Sequence, residues 1–261
     1  MYAFSYSNPR TLDEVSAASG QFLAGGQSLI PSMKLRLAQP GAIVDLNQVE
    51  GLAGFRVEGG QVEIGAMTRH ADVAASREVQ AAIPALAELA GGIGDRQVRA
   101  RGTIGGSLAN NDPAACYPSA VLGLGATVVT SRREIAADDF FQGMYTTALE
   151  EGELIKAVRF PVPRTAAYIK FKQPASRFAL VGVFVASTAQ GVRVAVTGAG
   201  LSVFRHAGLE AALNRSLTPA AAAAVPIDDS ELNSDLHASA RYRAHLISIL
   251  TQRAVDQLLS P

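Results

Sequence analysis

Two glycine segments carry the residues whose types and spacing can do chemistry. The first runs Phe22-Leu23-Ala24-Gly25-Gly26-Gln27-Ser28-Leu29. The second, Thr103-Ile104-Gly105-Gly106-Ser107, lies within Arg101–Pro113 and continues into Asn110-Asn111-Asp112. Glycine tolerates positive φ and lets another molecule approach the backbone closely. The hydroxyls of Thr103 and Ser107 donate hydrogen bonds, and successive amide N–H groups in such a turn form an anion-binding nest. Two separated glycine turns suit the two phosphates of one dinucleotide. The alternative is that each is a tight turn in a compact domain.

Other chemistries are poorly served. There is no G-x-x-x-x-G-K-[ST] phosphate loop. Gly123-Leu124-Gly125 and Gly198-Ala199-Gly200 begin like a Rossmann fingerprint but lack the third glycine, which leaves them as ordinary turns. Neither a G-x-S-x-G elbow nor an H-E-x-x-H helix occurs. His70, His206, His237 and His245 are scattered without metal-ligand spacing. The single cysteine, Cys116, excludes an internal disulfide, a cysteine-ligated iron–sulfur cluster and a four-cysteine zinc site.

Composition narrows the field further. The 261 residues, 48% hydrophobic and 18% charged, suffice for more than one lobe and a sizeable core. Lys plus Arg equals Asp plus Glu at 23 each, so no field favours nucleic acid or an acidic membrane. Trp is absent and aromatics are sparse, which removes a stacking platform for single strands. No basic start followed by an apolar run marks a signal peptide, and no apolar stretch spans a membrane, so cytoplasm is the default expectation.

The elements that must position the glycines follow from pattern. Tyr2–Ser5 reads as a strand, and Thr11 with Glu14 has the form of a capping box. Phe22–Ala24 is an apolar run into the first glycines, Leu29–Leu37 has helical spacing, and Ile43–Leu46 is a buried strand; strand, turn and helix together aim at an anion. A second lobe opens near Gly54 with a hairpin over Phe55–Glu58 and Gln61–Ile64 across Gly59-Gly60. Thr68 is a candidate helix cap, Ile83–Leu89 is helical, and the second glycine segment follows. Ala120–Leu124 reads as a helix, with strands at Thr127–Thr130 and Leu154–Phe160. After a boundary at Pro161–Pro163 come a strand at Tyr168–Lys172 and a hairpin of Leu180–Thr188 and Val192–Thr197. Ala207–Leu213 is helical, Thr218-Pro219 can start another helix, and Tyr242 to Leu258 forms an amphipathic closing helix. The fold class expected is α+β with mixed sheets.

Ala24–Pro31 together with Thr103–Ala109 resembles the FAD-binding (medium) subunit of the molybdenum hydroxylases, the xanthine dehydrogenase and carbon monoxide dehydrogenase family. The likeness extends through Ile43–Asn47, Gly65–Thr68, Leu154–Pro161, Tyr168–Gln173 and Tyr242–Leu246. It implies a two-lobed FAD-binding domain of the vanillyl-alcohol-oxidase type (PCMH type) over residues 1–163, with lobes of about 1–53 and 54–163. A smaller α+β C-terminal domain is implied over 164–261. It also implies FAD as cofactor, with the pyrophosphate held by Phe22–Leu29 and Thr103–Ser107. Backbone N–H groups must then do the holding, since neither loop contains Lys or Arg. Ile93 is implied near the flavin ring, Ile155 and Lys172 on later strands, and Phe178 as a shield for the ring. Core packing is the alternative for Ile93 and accounts nearly as well for Phe178, and a solvated strand end accounts equally for Lys172. Cys116 stands where the family commonly has an Asp that binds FAD; Asp112 is the candidate replacement, and Cys116 reads as a small buried residue. Gln27 stands where relatives often carry His or Thr.

The activity so implied is electron transfer. A large molybdopterin-binding subunit oxidises substrate, a small subunit with [2Fe–2S] clusters relays electrons, and FAD here passes them to an external acceptor, in a dimer of heterotrimers. The rivals are a stand-alone flavin oxidase and a non-catalytic nucleotide-binding module.

Overall fold

The computed structural model describes residues 1–260. Three larger sheets succeed one another along the chain. Ser5–Ser7, Ala42–Asp45 and Gln21–Leu23 form an all-parallel sheet with Ala42–Asp45 in the centre. The five-stranded antiparallel sheet runs Phe55–Glu58, Gln61–Gly65, Ile155–Pro161, Thr127–Thr130, Glu134–Ala136, so the late strand inserts between two hairpins. Thr165–Lys172, Ala179–Thr188, Gly191–Thr197 and Phe204–Arg205 form an antiparallel meander. The α+β expectation stands, but no one sheet is itself mixed: each is wholly parallel or wholly antiparallel.

Local chemistry explains most boundaries. Thr11 accepts from Glu14 N at 3.2 Å, while Glu14 reaches back to Arg10 N rather than to the cap residue itself. Gly59 and Gly60 take φ of 58° and 74°, as a two-residue primed turn requires. The helix expected over Leu29–Leu37 stops at Lys34. Arg36 turns left-handed at φ 62°, with Arg36 N bonded to Met33 O and Leu37 N to Ser32 O, a Schellman closure made without glycine. Thr68 is not a helix cap. Arg69 holds that position before His70–Ala75, and the Thr68 hydroxyl instead bonds the N–H and carbonyl of Gly54.

The core follows the sheets. Val15, Leu46, Val49, Leu52 and Leu154 pack together, joining the first lobe to the turn that leads into Ile155–Pro161. The largest cluster fills the second lobe beneath the helices Pro84–Gly91, Ile104–Asn110 and Tyr117–Leu124. Ala179–Thr188 is buried almost throughout because both its faces are covered. Val181, Val183 and Val185 face the cluster containing the closing helix Ala240–Leu259, while Phe184 and Ala186 face the second lobe. Each fully buried large aliphatic side chain there contributes about 1.5–3 kcal/mol.

Candidate functional site

A cleft of about 1180 Å³ runs between the first lobe, the second lobe and the start of the meander. That is at or above the usual size of a small-molecule site, about 300–1,000 Å³. Every residue from Phe22 to Leu29 lines it, as do Thr103, Gly105, Gly106 and Ser107. Ile104 does not; it is fully buried in the second-lobe core.

The two glycine segments touch. A Cβ on Gly25 would strike the Arg101 carbonyl and lie 2.6 Å from Gly102 Cα, so only glycine lets the first turn rest on the approach to the second. Gly106 faces Ala24 in the same way, with a virtual Cβ 3.2 Å from Ala24 Cβ. Their backbones nevertheless play different parts. Among the described residues, the N–H groups of Gly25, Gly26, Gln27, Ser28 and Leu29 donate to no protein acceptor. Four carbonyls in that turn are engaged: Ala24 O accepts from Asn47 Nδ2 at 3.1 Å, Gly25 O from Gln27 Nε2 at 3.1 Å, Gly26 O from Ile30 N at 3.3 Å and Ser28 O from Ser32 N at 3.2 Å. The first turn therefore presents a row of open donors, the arrangement an anion requires.

The second segment is no nest. It forms the first turn of the helix Ile104–Asn110, capped by Thr103. Ile104 N donates to Thr68 O at 3.1 Å, Gly105 N to Ala66 O at 2.8 Å, Gly106 N to Thr103 Oγ1 at 3.2 Å and Ser107 N to Thr103 O at 3.0 Å. The expectation that this segment binds phosphate through its N–H groups is corrected for Ile104, Gly105, Gly106 and Ser107, whose N–H groups protein acceptors already occupy; among the described residues only the Thr103 N–H is left open. What it offers the cleft is the close approach of a backbone without side chains, and the Ser107 hydroxyl. Gly105 itself is demanded by packing: its virtual Cβ would meet Ala66 Cβ at 2.5 Å.

Beneath this contact lies His70, 5% exposed. Its backbone N–H donates to Gly102 O at 2.9 Å, and its ring stands 5.3 Å from that of Tyr117. Burial pushes its pKa down to about 4, helped by the Arg99 charge, so the imidazole stays neutral at physiological pH. Nε2 leaves no room for a Cβ on Gly102, which accounts for that glycine.

The far end of the cleft is built on Ile93, Cys116, Lys170, Arg177 and Phe178. Ile93 both lines the cleft and packs against the second-lobe core. Phe178 is 48% exposed, which rules out core packing as its explanation. Cys116 is buried and lines the wall. The Lys170 ammonium donates to Gly92 O at 2.8 Å, Arg177 O at 3.2 Å and Cys116 Sγ at 3.3 Å. Lys172, expected here, is exposed and does not line the cleft. The regular ladder ends between them, with Leu180 skipped on the partner strand, so that Lys172 pairs with Ala179 at the strand's end, beyond the cleft wall.

The remaining wall comes from the turn before Ile155. Glu153 is buried yet ionised: burial works against its charge, but the Arg133 guanidinium, the Glu150 N–H and the Thr130 hydroxyl outweigh it and hold its pKa at about 2. Thus anchored, Glu150–Leu154 brings Ile155 to the cleft. Asp112 also lines it, with one carboxylate oxygen accepting from Ala114 N at 2.9 Å. Asn111, fully buried and left-handed at φ 41°, donates to Gly143 O and Thr146 O, which sets Tyr145 at the rim.

A family profile described as the FAD binding domain in molybdopterin dehydrogenase matches residues 2–163. The chain belongs to that family. It is 37% identical to the carbon monoxide dehydrogenase medium chain of Hydrogenophaga pseudoflava, over 97% of this chain and 96% of the relative. It is also 37% identical to the nicotine 6-hydroxylase medium subunit of Paenarthrobacter nicotinovorans, over 97% and 96%. Reconstituted CO dehydrogenase from Oligotropha carboxidovorans contains a chain of the same fold, with TM-score 0.91, 33% identity and 98% of both chains covered.

For an FAD-binding medium subunit the site is a fit: a large cleft, a row of open N–H donors, and an end lined by the apolar side chains of Ile93 and Phe178. The residues that sequence reasoning missed are Lys170, His70, Arg177 and Asn111. Only Asn111 carried a readable signal, as an asparagine placed to end a helix in the left-handed conformation. No helix among the described residues is long and apolar enough to cross a membrane.

Proposed function

We propose that this FAD-binding medium subunit relays electrons from the [2Fe–2S] clusters of a small partner subunit to an external acceptor. A large molybdopterin-binding subunit oxidises the substrate. The complex is a dimer of such heterotrimers in the cytoplasm. Bound FAD supplies a ring that accepts and passes on electrons. Residues 1–163 hold it, and 164–261 form a C-terminal domain that contributes the Lys170–Phe178 wall.

The observation that carries this reading is the open row of N–H donors from Gly25 to Leu29, lying against the Thr103–Ser107 helix start. The row receives the pyrophosphate, with Ser107 and Asp112 beside it. Cys116, Ile93, Ile155 and Phe178 exclude water from the ring end. With one cysteine in the chain, the iron–sulfur ligands must come from a partner. Relatives named for carbon monoxide and for nicotine share this subunit, which supports placing substrate choice elsewhere.

The test uses the full chain with about one FAD bound per molecule. Mixed anaerobically with aldehydes, purines or carbon monoxide, its flavin absorbance stays in the oxidised form, and it bleaches only when both partner subunits are added. Bleaching by an organic substrate with this chain alone would overturn the relay in favour of a self-sufficient flavin oxidase.

A further inference from the structure

We propose that Lys170 sets the ring end of the cleft and, through its fixed charge, raises the electron affinity of the flavin held there. The inference rests on FAD occupying this cleft, as proposed above. Its first support is the set of three contacts made by Nζ, to Gly92 O, Arg177 O and Cys116 Sγ. Gly92 and Arg177 immediately precede Ile93 and Phe178, which line the cleft. One ammonium therefore ties the backbone beside both residues, and also the start of the helix Tyr117–Leu124 behind them. Lysine has three donors, and all three are engaged, so the charge is held in one place.

The second support is electrostatic. Among the described residues, Lys170 forms no ion pair with a carboxylate. Its three partners are two carbonyls and a sulfur, so no opposite charge cancels it locally. Lys170 is itself half-buried, with buried Cys116 and Tyr168 beside it and Ile93 packed on the core. A charge in such a place acts more strongly than in water. Taking up electrons makes a flavin ring more negative, and a preorganised cation favours that form without further rearrangement.

Arg177 contributes its carbonyl to Lys170 from a left-handed backbone, φ 61°, within the loop that carries Phe178. The ammonium thus holds in place a turn that L-residues adopt reluctantly. Positioning and charge come from one side chain, and they can be separated by experiment.

The experiment compares wild type, Lys170→Met, Lys170→Arg, Lys170→Gln and Lys172→Met, each full-length and reconstituted with FAD. Flavin midpoint potential and FAD dissociation constant are measured for each. Poised at the wild-type midpoint, Lys170→Met and Lys170→Gln show a reduced-to-oxidised ratio lower by about tenfold. Lys170→Arg, which keeps the charge, stays near wild type in potential even where its affinity falls, and Lys172→Met matches wild type in both. Should Lys170→Met fail to fold, the Arg and Gln pair reads the same charge dependence. A merely structural latch would weaken FAD binding in all three Lys170 variants and leave the potential unmoved, which overturns the charge assignment. A shift in Lys172→Met but not in Lys170→Met or Lys170→Gln would overturn the choice of residue. Wild-type protein that binds no FAD would sink the proposed function itself, a failure distinct from these.

Discussion

Gly25→Ala isolates the contact on which the cleft is built. The substitution adds one methyl group where the first glycine turn rests on Arg101 and Gly102. Ordinary van der Waals contact begins near 3.4 Å, and the new Cβ would stand 2.6 Å from Gly102 Cα and closer still to the Arg101 carbonyl. Both neighbours are backbone, so no side chain can swing aside, and the segments must part by about 1 Å. Overpacking of this kind costs about 1–3 kcal/mol. The first turn has no backbone hydrogen bonds to the second segment to resist parting, so much of that strain relaxes by widening the cleft. FAD must then close the gap, and each 1.4 kcal/mol is tenfold in affinity. The dissociation constant for FAD is expected to rise by about 10- to 100-fold, while apoprotein melting falls by only a few degrees. Fluorescence titration of apoprotein with FAD, alongside thermal unfolding with and without FAD, measures both. Unchanged affinity with an unchanged melting temperature would refute the premise that this close approach shapes the site. A large loss of apoprotein stability without loss of affinity would show that strain is absorbed in the core instead.

Two further outcomes follow from the walls. Glu153 has its pKa depressed from 4.5 to about 2, so its stabilisation is fully present above 4.5 and disappears as pH falls through 2. Wild type should therefore lose about 1–3 kcal/mol more than Glu153→Gln between pH 5 and pH 2, read from denaturant unfolding at each pH; parallel curves would show that the buried carboxylate contributes nothing. Cys116→Ala should leave FAD affinity within about 1 kcal/mol, the scale of one neutral hydrogen bond, whereas Asp112→Ala should weaken it more; the reverse order in the same titration would make the thiol the polar contact.

Sequence alone determined what depends on neighbours along the chain. The Gly59-Gly60 hairpin, the Thr11 and Thr218 caps and the closing helix all follow from residues within a few positions of one another. The family likeness, carried by two ordered glycine segments, likewise needed no coordinates. Where each hydrogen-bond donor finds its acceptor was beyond it. Thr103–Ser107 and Gly25–Leu29 look alike as glycine-rich stretches, yet the first has its N–H groups from Ile104 to Ser107 bonded to Thr68, Ala66 and Thr103, while the second has them open. For Ile104 and Gly105 that difference arises from the loop after Gln61–Gly65, far away in sequence. The two lysines near the end of Thr165–Lys172 make the same point. Pattern places Lys170 and Lys172 in the same phase of one strand, yet only Lys170 lines the cleft, while Lys172, at the strand's end, is exposed. Which of the two meets the cleft depends on where the walls built by other segments end, not on the strand's own sequence. Local propensity can therefore name the elements, but the chemistry of the cleft is decided by which backbone groups tertiary packing leaves without partners.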